Sequence, residues 1–174
     1  MDYSVADNAL KDKVILITGA GAGIGKQAAI SFAEHGATVI LLGRTVKKLE
    51  QTYDEIESAG YPQPAIIPLD MKGATKQNYL DMVDTIESQF GRLDGVLHNA
   101  SILGVISPFD QIGEDSFDDV MQVNVKAQFL LSQAYYLYCA NQTTHAWSLP
   151  HQPLVISVEL SGAHTPCLNL RPKA

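Results

Sequence analysis

The chain is short of basic residues. Lysine and arginine number 12 against 19 aspartates and glutamates, a formal charge of −7. Nucleic acid and anionic membranes both ask for a basic face, so the balance argues against either as the main partner. Cysteine is scarce as well. Cys139 and Cys167 stand far apart and form no Cys-x-x-Cys, which argues against a disulfide framework and a zinc site. No apolar run reaches the ~18 residues of a transmembrane helix. The first thirteen residues are mixed and acidic, unlike a signal peptide. Apolar residues make up 46% and charged ones 18%, a globular balance rather than a disordered one. Repeats, low-complexity segments and interdomain linkers are absent. For 174 residues these absences predict one soluble, cytoplasmic domain of α/β type.

From residue 13 to about 137 the pattern alternates strand and helix. Lys13–Thr18, Ala37–Leu42 and Ala65–Leu69 are short apolar runs rich in β-branched residues, which suits buried parallel strands. Leu93–Leu97 is a fourth. Pro68 lacks a ladder donor, so it fits an edge strand or a strand end. Apolar residues at helical spacing predict helices over Ile24–His35, Val46–Ala59 and Lys76–Phe90, closed by Gly36, Gly60 and Gly91. Glu114 to about Leu137 reads as one long helix. Repeated strand–helix units predict a doubly wound parallel sheet with right-handed crossovers. Behind residue 135 the character changes. Tyr135, Tyr136 and Tyr138 crowd together, Asn141–Pro153 follows neither period, and Leu154–Val158 offers one more strand.

The glycine loop carries the chemistry. Thr18-Gly-Ala-Gly-Ala-Gly-Ile-Gly25 sits between a strand and a helix. Glycines there let backbone approach a pyrophosphate, and the helix N-terminus offers free N–H groups and a positive dipole end. A P-loop fails, because Ala20 stands at its first glycine and Gln27 at its Ser/Thr. GxGxxG fails from either starting glycine. TGxxxGxG fits, with Thr18, Gly19, Gly23 and Gly25. A methyltransferase also has a glycine loop after its first strand, but usually an acidic residue where Gly43 and Arg44 stand.

TGxxxGIG resembles the cofactor loop of the short-chain dehydrogenase/reductase family. Three further stretches resemble its motifs in the same order. They are Leu69-Asp70 after the third strand, His98-Asn-Ala-Ser101 after the fourth, and Met121-Gln-Val-Asn-Val125 in the long helix. Arg92–Ala100 with Leu103-Gly104 is more specifically similar to a bacterial branch of the family, the YciK type. The resemblance covers residues 10–134 and implies a Rossmann fold, here incomplete at its C-terminal side. It places Thr18, Gly19, Gly23, Ile24 and Gly25 at the pyrophosphate, Asp70 at the adenine, and Asn99 and Ala100 near the ribose. Asn124 is the one candidate from the catalytic set, its backbone holding a kink and a proton-relay water. The resemblance further implies a carbonyl or alcohol substrate, full-length relatives that form homo-oligomers, and no metal. Family members that use NAD usually carry an acidic residue at the end of the second strand. Here Gly43 and then Arg44 stand there, a neutral residue followed by a cation that suits a 2′-phosphate. NADP is therefore expected over NAD.

One motif of the family is missing. Its chemistry uses a tyrosine acid/base, a lysine four residues later that lowers the tyrosine pKa, and a serine about a dozen residues earlier. The positions four after Tyr135, Tyr136 and Tyr138 hold Cys139, Ala140 and Gln142. Ser157 and Ser161 lie near the expected depth for the serine, but no acid/base follows, and His164 does not replace it. The codons suggest a reason. Joining the last base of each codon to the first two of the next lets Gly162–Ala174 spell Gly-Ala-Tyr-Ala-Val-Ser-Lys-Phe-Ala-Thr-Glu-Gly. All twelve triplets comply, with YxxxK spacing. Ala146–Val155 can likewise spell Leu-Val-Phe-Thr-Ser-Ser-Ala-Val-Gly, and Ala134 onward Leu-Leu-Pro-Leu-Leu. The expectation is one base lost near codon 134 or 135. That leaves 1–134 as the NADP-binding half of an oxidoreductase and 135–174 as out-of-frame translation. The alternative is a non-catalytic NADP-binding fragment or interaction protein.

Overall fold

The computed structural model describes residues 8–143 and 154–157, with the side chains of 8–139. Val158, Ser161, His164 and Cys167 lie outside the described residues, as do the first seven residues and positions 144–153 of the irregular stretch. Five strands form one parallel sheet: β1 (Val14–Thr18), β2 (Thr38–Gly43), β3 (Ala65–Pro68), β4 (Gly95–His98) and β5 (Leu154–Ser157). Their order is β3-β2-β1-β4-β5, so the chain reverses its direction of travel between β1 and β4. The helices are α1 (Gly23–Glu34), α2 (Val46–Ser58), α3 (Lys76–Phe90), α4 (Glu114–Met121) and α5 (Ala127–Thr143). This is the doubly wound Rossmann arrangement that the pattern predicts.

Side chains alternate across the sheet, and the two faces find different partners. Leu16, Ile40, Leu42 and Val96 pack with α3 and α5 residues such as Tyr79, Val83, Ile86 and Leu131. Ile17, Val39, Leu41 and Leu97 pack with Ala29 and Ala33 of α1 and Leu49 and Ile56 of α2. The three predicted helices each end within two residues of their glycine. Thr75 caps α3 through a reciprocal pair with Asn78. Pro68 ends β3, an edge strand, where its missing N–H leaves no ladder bond unmade.

Three boundaries differ from the sequence reading. β4 starts at Gly95, not Leu93, because Asp94 is bound before the ladder begins. Its carboxylate accepts the Val14 N–H at 2.9 Å and the Arg92 Nε at 2.7 Å, and Lys13 reaches it at 3.3 Å. Burial works against the Asp94 carboxylate, but Arg92, the Val14 N–H and Lys13 together hold its pKa below the usual range. The long helix is not uniform. Gln122–Lys126 forms a π-helical turn between α4 and α5. Beyond that turn α5 runs on to Thr143, past the expected break, and buries Tyr135 and Tyr138. The Tyr135 hydroxyl has no well-formed hydrogen bond there, and the Cys139 thiol beside it is only a weak partner.

His98 closes β4 at 2% exposure. Its Nε2 lies 2.9 Å from the Ser132 Oγ of α5, and its Nδ1 is buried without a partner. Burial pushes its pKa down to about 4, so the folded chain keeps the ring neutral. The unfolded chain takes up that proton below about pH 6.5. Stability from this residue is therefore full above pH 6.5 and drains away as pH falls toward 4. At ~1.4 kcal/mol per pH unit the loss across the window is roughly 3 kcal/mol. Urea unfolding of the wild-type chain and of His98→Asn, at pH 7 and at pH 4.5, checks this. The variant is expected to lose markedly less stability between the two pH values. Equal losses contradict the assignment.

Candidate functional site

The C-terminal ends of β1, β2, β3 and β4 converge where the strand order reverses, the usual ligand position in an open parallel sheet. A cavity of about 390 Å³ opens there. Four loops build it. The first leaves β1 at Thr18. Gly19 turns the chain at φ +69°, and the N–H groups of Gly19 and Ala20 both donate to the Leu42 carbonyl, at 2.8 and 3.2 Å. The loop is thereby anchored to β2 before α1 begins. The α1 N-cap is Ala22, which has no side-chain hydrogen bond to give. The first-turn N–H groups of α1 are thus left for an anion at the positive end of the helix dipole.

Two glycines are demanded by contact rather than by conformation alone. A Cβ on Gly19 would come to 3.0 Å of the Ala100 Cα and of the Asn99 Nδ2. A Cβ on Gly25 would collide with the Asn99 side-chain nitrogen and the Gly19 carbonyl oxygen. The turn and the β4 loop are that close because Thr18 and Asn99 bind each other twice. Thr18 Oγ1 accepts the N–H of Asn99 at 2.9 Å and of Ala100 at 3.0 Å, and it donates to the Leu97 carbonyl at 3.3 Å. Asn99 Nδ2 donates back to the Thr18 carbonyl at 3.2 Å. Asn99 Oδ1 is buried with no partner among the described residues.

The other walls come from β2, β3 and the π turn. Arg44 lines the cavity, is exposed, and has no acidic partner among the described residues. Asp70 lines it too, with Oδ1 held at 3.0 Å by the Lys72 N–H. Asn124 lies in the π turn and clamps Ile102 with both side-chain atoms. Its Oδ1 accepts the Ile102 N–H and its Nδ2 donates to the Ile102 carbonyl, each at 2.9 Å. The arrangement can hold an elongated anionic nucleotide. No tyrosine or histidine among the described residues lines the cavity, and its titratable side chains are Arg44, Asp70 and Lys72. Among the described residues no group of three or more potential ligands suits a metal ion, and no helix is long and apolar enough to cross a membrane.

Residues 13–144 match the family model of the short chain dehydrogenases. The chain belongs to that family. A short chain dehydrogenase structure from Pseudomonas syringae is 50% identical to it, with a TM-score of 0.76 over 79% of this chain and 57% of the other. A short chain dehydrogenase from Shigella flexneri 2a, complexed with NADP, is 43% identical, with a TM-score of 0.71 over 74% and 54%. The uncharacterized oxidoreductase YciK of Escherichia coli K12 is 44% identical over 134 residues, 77% of this chain and 53% of the relative. The chain spans about half the length of the curated relatives it matches.

Of the residues singled out from the short chain dehydrogenase motifs, Gly19, Gly23, Ile24, Arg44, Asp70, Asn99 and Ala100 line the cavity. Thr18, Gly25 and Asn124 stand behind its wall and hold the lining in place. Met71, Lys72, Ser101, Ile102 and Val123 also line it and were not anticipated. Each adjoins a motif residue, which is the one signal that would have found them. Lys72 pairs with Asp119 of α4 at 2.7 Å and so ties the β3 loop across to the helix.

The glycine contacts set an order of damage. Gly25→Ala forces backbone and the Asn99 amide apart, and overpacking of this kind costs about 1–3 kcal/mol. Gly23 has φ +57° but open space at its Cβ, so Gly23→Ala meets conformational strain alone, about 1–2 kcal/mol. Urea unfolding is expected to rank Gly25→Ala as the more destabilised of the two. The reverse order contradicts the packing account.

Proposed function

We propose that this chain is the NADP-binding half of an oxidoreductase that moves a hydride between NADP(H) and a carbonyl or alcohol substrate, cut off before the Tyr-x-x-x-Lys of its family. The observation that carries the reading is Arg44, a cation without an acidic partner among the described residues, lining the same cavity as the uncapped N-terminus of α1. That pairing offers two separate anion sites, one for a pyrophosphate and one for a 2′-phosphate.

The residues present fit such a cofactor. Asn99 Oδ1 is a buried acceptor still lacking a donor, beside the wall where a ribose hydroxyl would lie. A side chain at Gly25 would drive out the Asn99 amide and with it the close approach of backbone. When bound, the nicotinamide supplies hydride transfer to or from a carbonyl carbon. Thr18 and Gly25 keep the two loops together, Gly19, Gly23 and Ile24 line the pyrophosphate position, Ala100 lines the ribose side, and Asp70 faces the adenine. Asn124 positions Ile102 at the wall nearest the chemistry. None of these residues is an acid/base for the substrate oxygen.

A second reading is a non-catalytic NADP-binding fragment or interaction protein, and the missing Tyr-x-x-x-Lys favours it for this chain as it stands. NADPH fluorescence titration, paired with NADPH oxidation in the presence of small aldehydes and ketones, separates binding from turnover. Tight binding with no oxidation is expected. Arg44→Asp is expected to lower the NADPH-over-NADH affinity ratio tenfold or more, about 1.4 kcal/mol. An unchanged ratio sinks the NADP assignment.

A further inference from the structure

The core of α5 changes chemistry at one point. Up to that point its buried face is Ala127, Leu131 and Ala134, each at most 2% exposed. The next buried positions are Tyr135 and Tyr138, at 1% and 9%. Tyr135 brings a hydroxyl with no well-formed partner into an apolar cluster built from Leu16, Val96 and Leu131. The Tyr79 hydroxyl in the same cluster is also unpaired, so the orphan alone does not single out this segment. The local conflict between sequence and fold is a helix face that is aliphatic up to Ala134 and then turns to two tyrosines.

The codons behind that point resolve the conflict. Tyrosine codons are TAY, with Y a pyrimidine. The triplet made from the last base of codon 134 and the first two of codon 135 is NTA. So is the triplet spanning codons 137 and 138. Each encodes leucine, isoleucine or valine, whatever its first base is. These are the triplets that replace Tyr135 and Tyr138 when one base is restored ahead of codon 135. The triplet over codons 138 and 139 is YTG, which is leucine in both cases. One shifted frame therefore puts an aliphatic side chain at both buried tyrosine positions and at the half-buried Cys139, which packs against the same core. The same frame lets codons 162–174 spell a Tyr-x-x-x-Lys segment without a stop. The two agreements are independent. One is set by burial in α5 and the other by residues thirty positions further on.

We infer that the codons behind Ala134 carry, one base out of register, the continuation of this same domain, including the serine, tyrosine and lysine that the chain lacks. The inference rests on the family membership and on the oxidoreductase reading above, but its test does not involve NADPH. The coding DNA, read from codon 130 to about one hundred codons beyond 174, decides it. The account expects TAC across codons 164 and 165, AAA across codons 168 and 169, and an uninterrupted shifted frame past codon 174. CAC at the first pair, a non-lysine triplet at the second, or a stop in the shifted frame before codon 174 overturns it. The packing of α5 has its own test in the existing chain. Tyr135→Phe removes only the orphan hydroxyl and is expected to raise the thermal midpoint by a few degrees. A lowered midpoint overturns the reading of this hydroxyl as unpaired, whatever the cofactor titration shows.

Discussion

One hydroxyl holds the walls of the candidate site together. Thr18 ends β1 in full burial, and its Oγ1 serves three backbone groups of the neighbouring strand and its loop. β1 and β4 part company here, because the chain goes one way from β1 to β2 and the other way from β4 to β5. At such a switch point the ladder runs out and backbone groups on both strands lose their partners. The threonine hydroxyl accepts twice and donates once, which is the capacity its chemistry allows. Asn99 completes the join from the other side with its amide nitrogen. With the two loops fixed, the separation between Gly19, Gly25 and Asn99 is fixed as well, and no side chain larger than hydrogen fits at Gly25.

The site inherits its character from what this join leaves unsatisfied. Asn99 spends its nitrogen on Thr18 and keeps Oδ1 idle. The N-terminus of α1 is presented by Ala22, which cannot cap it. Arg44, just after β2, meets no carboxylate among the described residues. The idle Asn99 Oδ1 is a cost that a hydroxyl-bearing ligand would remove, and all three groups sit on one cavity. The loop after β4 and the first turn of α5 behave differently. Phe109, Ile106, Leu103 and Phe129 are 93%, 87%, 76% and 60% exposed. So much bare apolar surface is unusual for a folded monomer, and it fits a chain that spans about half the length of its curated relatives.

Most of the fold was legible because two periods rarely conflict in it. β1 and β2 are unbroken apolar runs because both of their faces are buried, and α3 is stopped by Gly91. The glycine loop was legible because only close backbone approach demands glycine at such spacing. What escaped was tertiary. Asp94 sits inside an apolar-looking run, and only the approach of Val14, Lys13 and Arg92 takes it out of the strand. The π turn at Gln122–Lys126 leaves the hydrophobic spacing of a single helix almost intact, so periodicity does not reveal it and only the family resemblance implied a kink at Asn124. The extension of α5 to Thr143 rests on burial of Tyr135 and Tyr138 against the sheet, which the crowded tyrosines do not announce locally. Lys72 and Met71 reached the cavity through the path of the β3 loop, which no local pattern encodes.

The claim that the Thr18 hydroxyl governs the site is tested most directly by native-state hydrogen exchange at the Asn99 and Ala100 amides. Both lie at the end of β4, where the ladder has stopped, and Thr18 Oγ1 is their acceptor. The account predicts that in the wild-type chain they exchange only as slowly as the central strands do, and that Thr18→Val makes both exchange many times faster while Leu16 and Ile40 stay protected. Rapid exchange of the two amides in the wild-type chain, or unchanged protection in Thr18→Val, would contradict it.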